Sequence, residues 1–329
     1  MAFSHEDDFE EKHPETHKTI KTAIKIANPE KFPLSVLTKE FIALEKKKLT
    51  TATCRRKEKH IQDFIDYFND PEIKEITKRK CSDYAYSILK NKDPANETLR
   101  NNILDIGTLF SWAENRGYTE YNPFYRLKLP VGRKNAQDRK PWSDEDIIKF
   151  FTSDFINKNE FIATAISLYT GMRLDEICRL KHKDIFDDLF HIYEGKTKAA
   201  SRVVPVHPVL KKIIVSNYSD EKDYILKGLV SGGYDKKRSG NFSKRHGRTR
   251  KKLNFPNGVV FHTLRNTVIT KLQNNLIPLY NIEQIIGHKQ KSVAFGVYSG
   301  GLAVKHLREI INGISYGNTI DNLMLNYKI

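Results

Sequence analysis

Cysteine is scarce in this 329-residue sequence: there are three, Cys54, Cys81 and Cys178, and they lie far apart. An odd, scattered set argues against a disulfide framework and against cysteine-based zinc sites, and it fits a reducing, cytoplasmic compartment. No apolar run approaches the ~20 residues of a membrane-spanning helix, and no basic-then-apolar signal segment opens the chain. The eleven histidines include no HExxH and no other metal-ligand spacing. Gly-rich phosphate loops are absent as well, so neither a metal nor a nucleotide cofactor is expected. Acid is also in short supply, with 40 Asp and Glu against 56 Lys and Arg, a formal charge of +16. Such a surplus repels itself unless something anionic is bound. Nucleic acid is the commonest such partner, and the missing apolar segments count against a membrane.

What is present suffices for real cores: 39% of residues are hydrophobic, including 18 Phe and 15 Tyr. The length fits two domains better than one. Residues 1–40 are polar and charged and read as an extension. From about Lys39 the apolar residues recur three and four apart through FIALEKKK, CRRKEKHIQDFIDYF and ETLRNNILDIGTLFSWAENRGY, which predicts a helical domain over 41–130. Ile103, Ile106, Leu109 and Phe110 form one stripe, and Gly117 reads as a helix stop. A proline-flanked basic stretch, 131–141, reads as a linker. Ser143 with Asp146 three residues on predicts the N-cap of the next helix and the start of a second domain, 142–315. There, helical patterns surround one strand-like stretch, DIFDDLFHIYEGKTKAASRVVPVHP. Residues 316–329 read as a tail. The expected fold is mainly α with a small β-sheet in the second domain.

Five features of that domain carry chemistry, and each has a plain structural account beside the functional one. In TGMRLDEICRL, Arg173 opens a helix, where the helix dipole disfavours a cation. Either Asp175 and Glu176 compensate it, or Arg173 points at a phosphate with Glu176 bracing it. FHTLRNT sets His262 and Arg265 about 60° apart on one helix face, as a boundary pair or as a site. The hairpin YEGKTKAASRVVPVHP carries Lys196 and Lys198 in its turn, where lysines are ordinarily solvated. IIGHKQKS supplies His288. FGVYSGG holds Tyr298, which among Val293, Phe295 and Val297 reads alone as a core residue. In addition, nine cations crowd residues 236–252: Lys236, Lys237, Arg238, Lys244, Arg245, Arg248, Arg250, Lys251 and Lys252. They form a solvated face or a surface for DNA phosphates.

In chain order (Arg helix, Lys hairpin, His-x-x-Arg, Gly-His, then Tyr) the five features resemble the tyrosine recombinases, the integrase family of phages and mobile elements, over roughly residues 40–315. The resemblance implies a two-domain, C-shaped clamp, with the helical domain as core-DNA-binding domain and the second as catalytic domain. It implies Arg173 and Arg265 as catalytic arginines, Lys196 as the hairpin lysine with Lys198 as rival, His262 and His288 as catalytic histidines, Tyr298 as nucleophile and Glu176 in support. Asn266 stands where many relatives carry His. The implied activity is integration or excision of a mobile element through a 3′-phosphotyrosine intermediate. The implied partner is double-stranded DNA at attachment or core sites, bound by a homo-tetramer, with DNA-bending accessory factors. Residues 1–40 are then a linker or a partial arm-binding region. Arg133, Lys134, Arg139 and Lys140 of the linker are candidates for backbone contact, alongside the nine cations above. The segment GLAVKHLREIINGIS is expected to pack on a neighbouring protomer through Leu302, Val304, Leu307, Ile310 and Ile311. A type IB topoisomerase shares the catalytic logic, and a non-catalytic DNA-binding protein shares the charge. A basic RNA-binding module lacks a recognisable aromatic motif here.

Overall fold

The computed structural model describes residues 32–131, 139–193, 201–288 and 303–326. The chain divides into two compact units, residues 1–136 and 137–329. In the first, α1 (Leu34–Glu45), α2 (Thr51–Tyr67), α3 (Lys78–Lys92) and α4 (Asn96–Asn115) pack together, with α2 against α4 as the central pair. The threonines that precede α2 and α3 cap them: Thr50 Oγ1 accepts from Thr53 N–H and Thr77 Oγ1 from Lys80 N–H. Each thereby satisfies a donor that the helix start leaves without a partner. Phe64 lies at the centre of the core, with edge-on rings from Phe68, Tyr84, Phe110 and Phe124. The predicted stripe Ile103, Ile106, Leu109 and Phe110 is buried, and Gly117 follows α4 at φ +77°. The first helix starts at Leu34, earlier than its periodicity suggests. Leu34 and Leu37 are fully buried, so 34–40 belong to the core and not to the extension.

The second unit begins with α5 (Asp144–Phe151), capped reciprocally by Ser143 and Asp146 as expected. Helix α6 (Lys158–Thr170) is buried at every position from Glu160 to Thr170. A helix that is buried all round is a central one, and Glu160, its buried acid, is fully partnered. Glu160 caps α6 through Asn157 and also accepts from Arg245 Nε and Thr249 Oγ1. Short α7 (Leu174–Arg179) follows, then β1 (Ile185–Phe186), β2 (Leu189–Ile192) and β3 (Arg202–Pro205). These form an antiparallel sheet in the order β1-β2-β3, with Phe190 paired to Val204 and Ile192 to Arg202. The β1–β2 turn is Asp187-Asp188, both at positive φ. This is the conformation a two-residue hairpin needs, and Asp tolerates it.

Helices α8 (Pro208–Ser216), α9 (Ser239–Lys252), α10 (Thr263–Asn274), α11 (Leu279–Ile286), α12 (Val304–Asn312) and α13 (Asn318–Leu325) complete the unit. Helix α10 packs along α6, and α11 and α12 meet β3. Two expectations for the chain's last part need correction. Residues 316–329 are not simply a tail, because α13 packs on α8 and α5 with Ile320 and Met324 buried. Leu307 and Ile311 of α12 are buried in the chain's own core and are not offered to a neighbour, whereas Val304 stays exposed. Leu302 lies outside the described residues.

A polar latch fastens α13. Tyr169, near the end of α6, donates its hydroxyl to Asp321 Oδ1, Ser315 Oγ donates to Oδ2 at 2.6 Å, and Tyr316 hydroxyl donates to the Leu168 carbonyl at 2.8 Å. Replacing Tyr169 by Phe removes the buried donor and leaves Asp321 short of a partner. The variant should lose about 1–3 kcal/mol of unfolding free energy in urea. A loss under about 0.5 kcal/mol, the scatter of neutral surface changes, would show that the latch contributes nothing.

Candidate active site

Three chain segments converge on one carboxylate. At the end of α6, Gly171 adopts φ +67° and turns the chain so that Arg173 becomes the N-cap of α7. Three residues on, Glu176 reaches back: Oε2 accepts from Arg173 N–H at 2.8 Å and Oε1 from Arg173 Nη1 at 2.7 Å. A cation at a helix start thus meets an acid locally, which offsets its unfavourable position in the helix dipole. Arg202, which opens β3, binds the same carboxylate with its fork, Nη1 to Oε1 at 3.0 Å and Nη2 to Oε2 at 2.8 Å. Both arginines also grip the end of α11, where Arg173 Nη2 donates to the Gly287 carbonyl at 2.9 Å and Arg202 Nε to the Ile285 carbonyl at 3.1 Å. Gly287 is required on two counts. It caps α11 at φ +69°, and a Cβ there would stand 2.7 Å from Arg202 Nη1.

Arg265 lies in the first turn of α10, is 2% exposed, and donates Nη1 to the Gly171 carbonyl at 2.9 Å. It therefore fixes the turn that presents Arg173. His262 is the N-cap of α10, and His288 follows Gly287 with its N–H on the Glu283 carbonyl. Both imidazoles reach the surface, yet both titrate below the ordinary histidine range. For His262 the causes are partial desolvation, then the charges of Arg265, Arg139 and Arg173. For His288 they are desolvation, then Arg265 and Arg173, with Glu283 opposing. The rings are consequently neutral near pH 7, each able to donate one hydrogen bond and accept another. Burial alone would raise the Glu176 carboxyl. The hydrogen bonds and charge of Arg202, with the N–H and guanidinium of Arg173, outweigh that and lower it to about 2. Among the described residues, no cluster of His, Cys, Asp or Glu side chains is arranged to hold a metal ion.

Of the residues singled out in the sequence, the structure thus brings together Arg173, Glu176, His262, Arg265 and His288. Lys196, Lys198, Tyr298, Arg133 and Lys134 lie outside the described residues. Arg139 and Lys140 are exposed, and Arg139 lies near enough to His262 to depress its titration. The nine-cation run divides on α9 and the turn before it. Lys236, Lys237, Lys244, Arg248, Lys251 and Lys252 sit wholly or partly at the surface. Arg238 requires correction as a backbone candidate: its guanidinium donates to the carbonyls of Cys178, Leu226 and Leu229 and lies 3.6 Å from the Tyr224 ring centre. Arg250 turns inward to the Val259 carbonyl, and Arg245 pairs with Glu160 at 2.9 Å. Sequence reasoning missed Arg202 and Gly287. The available signal was a cation at the first position of a β-prone run, whose partner, Glu176, lies 26 residues away in sequence.

The architecture matches that of integrases bound to DNA. The Tn1549 transposon integrase in complex with a circular intermediate DNA superposes with TM-score 0.65 at 19% identity, over 84% of this chain and 98% of that one. A lambda integrase dimer on a COC′ core site gives 0.64 at 16% identity, over 95% and 86%. A lambda integrase tetramer on a Holliday junction gives 0.62 at 15%, over 88% and 89%. These likenesses define the class of fold, that of the integrases. In sequence, residues 145–300 match the phage integrase family. A tyrosine recombinase of Thermosipho africanus is 25% identical over 253 residues, 73% of this chain and 86% of the relative. The chain belongs to the tyrosine recombinase (phage integrase) family and is a site-specific recombinase acting on DNA.

The Glu176 shift has a stability consequence. Its folded pKa lies below the unfolded value, so its contribution is fully present above pH ~4.5 and is lost as the pH falls toward about 2. That contribution is about 3 kcal/mol at neutral pH. In urea unfolding across this window, Glu176→Gln should lose less stability with falling pH than the wild type does. Parallel pH profiles for the two would contradict the assignment.

Proposed function

We propose that this chain cuts and reseals DNA strands through a covalent 3′-phosphotyrosine formed by Tyr298, and so integrates or excises a mobile element. The observation that carries the reading is the gathering of Arg173, Arg265, His262 and His288 from three separate segments into one cationic site, each histidine titrating under the influence of both arginines. The roles follow from the chemistry. The phenol oxygen attacks the scissile phosphorus, the bond to the 5′ oxygen breaks, and a free 5′ hydroxyl departs. That hydroxyl, or one from the partner duplex, later attacks the phosphotyrosine and releases the phenol. The covalent link keeps the bond energy, so no external energy source enters.

A phenol is overwhelmingly protonated at pH 7, so a base or local cations must assist it. Neutral His262 or His288 can take the proton or donate to a phosphate oxygen. Arg173 and Arg265 stabilise the equatorial charge of the phosphorane, for which planar, permanently charged forks are suited. Lys196, or its neighbour Lys198, protonates the departing 5′ oxygen. The exposed cations of α9 and the linker hold the backbone, and the helical unit reads the core site. We place the reaction in the cytoplasm, within a tetramer on paired core sites; the tetramer of lambda integrase bound to a Holliday junction supports that assembly.

The test begins with a core site selected by this chain from a randomised duplex pool and rebuilt as a nicked suicide substrate. The wild type should form a covalent adduct on a denaturing gel, Tyr298→Phe should form none, and Arg265→Gln should slow it by roughly 100-fold or more. An equal adduct from Tyr298→Phe would sink the mechanism, and relaxation of supercoiled plasmid irrespective of site would favour the topoisomerase reading. Replacing Lys251 and Lys252 by Gln should flatten the log–log salt dependence of binding by roughly 0.9 for each phosphate that is no longer neutralised, about equally for all sequences. An unchanged slope would remove those two from the residues that hold the DNA backbone.

A further inference from the structure

Glu176 has more cationic partners than a simple brace requires. Arg173 alone would close a neutral pair with it, yet Arg202 binds both of its oxygens as well. The two arginines are placed differently. Arg202 is 10% exposed at its side chain, and its Nε, Nη1 and Nη2 all donate to protein groups, with the plane seated against Gly287. Its donors are committed to the protein, which leaves little of it for a DNA phosphate. Arg173 keeps 34% of its side chain exposed.

We propose that Arg202 is a positioning residue for strand transfer, sharing the Glu176 carboxylate so that Arg173 is held by an acid without being neutralised by it. The inference rests on the recombinase reading above. Two guanidiniums around one carboxylate leave a net charge of +1, and the exposed member of the trio, Arg173, presents it. Remove Arg202 and the sum is zero: a buried carboxylate with one partner draws Arg173 inward, away from a phosphate. Arg202 also clamps the Ile285–Gly287 turn from which His288 projects, so one fork sets an arginine and a histidine together. Lysine carries the charge but lacks the fork and cannot bind two oxygens and a carbonyl in one plane.

The experiment measures adduct formation on the suicide substrate at saturating DNA, with the binding midpoint and thermal unfolding followed alongside. Arg202→Met should slow adduct formation roughly tenfold or more while the binding midpoint stays within about twofold of wild type. Arg202→Lys should recover part of the rate. The deciding comparison is the double variant Arg202→Met with Glu176→Gln, in which the neutralising charge is gone but an acceptor for the Arg173 N–H remains. It should cleave faster than Arg202→Met alone, whereas a merely structural Arg202 would make the two losses accumulate. If the Met variants do not fold, Arg202→Gln, with and without Glu176→Gln, makes the same comparison. A rate for the single variant within about twofold of wild type, or a double variant slower than the single, overturns the proposal. Wild type that forms no adduct overturns the recombinase chemistry and this inference with it; wild type that does, matched by the Arg202 variants, overturns the inference alone.

Discussion

The second unit depends on how a buried negative charge is accommodated. Glu176 is almost fully enclosed, with a side chain 1% exposed, and an isolated carboxylate there would cost several kcal/mol to desolvate. It is tolerated because an N–H and two forks surround it, and those donors come from the start of α7 and the start of β3. Each fork continues to the end of α11. The charge therefore ties together three segments through directional bonds. Arg265, from a fourth segment, grips the Gly171 turn just ahead of Arg173. The apolar core sets the helices roughly in place, and this polar ring brings the terminal residues into register. Directional bonds, unlike burial, specify angle as well as proximity.

The same economy explains where the surplus positive charge goes. Cations that look alike in sequence take three different roles on and just before α9. Arg238 and Arg250 close off backbone carbonyls that would otherwise be left bare, Arg245 answers the buried Glu160, and the others remain at the surface. Only the last kind is free to contact an approaching polyanion directly. The formal charge of +16 is thus unevenly placed, because Arg238 and Arg250 carry theirs turned into the fold and not toward an approaching polyanion.

Much of this was legible from local pattern. Helix periodicity located α2 and α4, the Ser143–Asp146 box placed the start of the second unit, and the order of motifs named Arg173, His262, Arg265 and His288. What escaped was non-local or gave a weak signal. Leu34 and Leu37 precede a recognisable period, and their burial depends on α2 and α4. The short β1 strand has no separate signal in that strand-like stretch, because its Asp-Asp turn resembles any polar loop. Helix α13, with its apolar Ile320 and Met324 among asparagines, carries too little amphipathic signal to be seen without α8 beneath it. Arg202 carries no local signal beyond opening a β-prone run, since the acid it serves is distant in sequence and close only after folding.

The burial of α13 has a consequence for how the protein is made. The first unit closes its core with residues no later than Leu129, so it can fold while the rest is still being synthesised. The second completes its core later, because Tyr169, on its central helix, finds its acid only at Asp321. Until that residue has left the ribosome, α5 and α8 present an apolar face with no cover from α13. Over that interval the half-made chain already has a finished helical unit but lacks a completed second core. Synthesis order thus gives the chain a built-in delay between its two units.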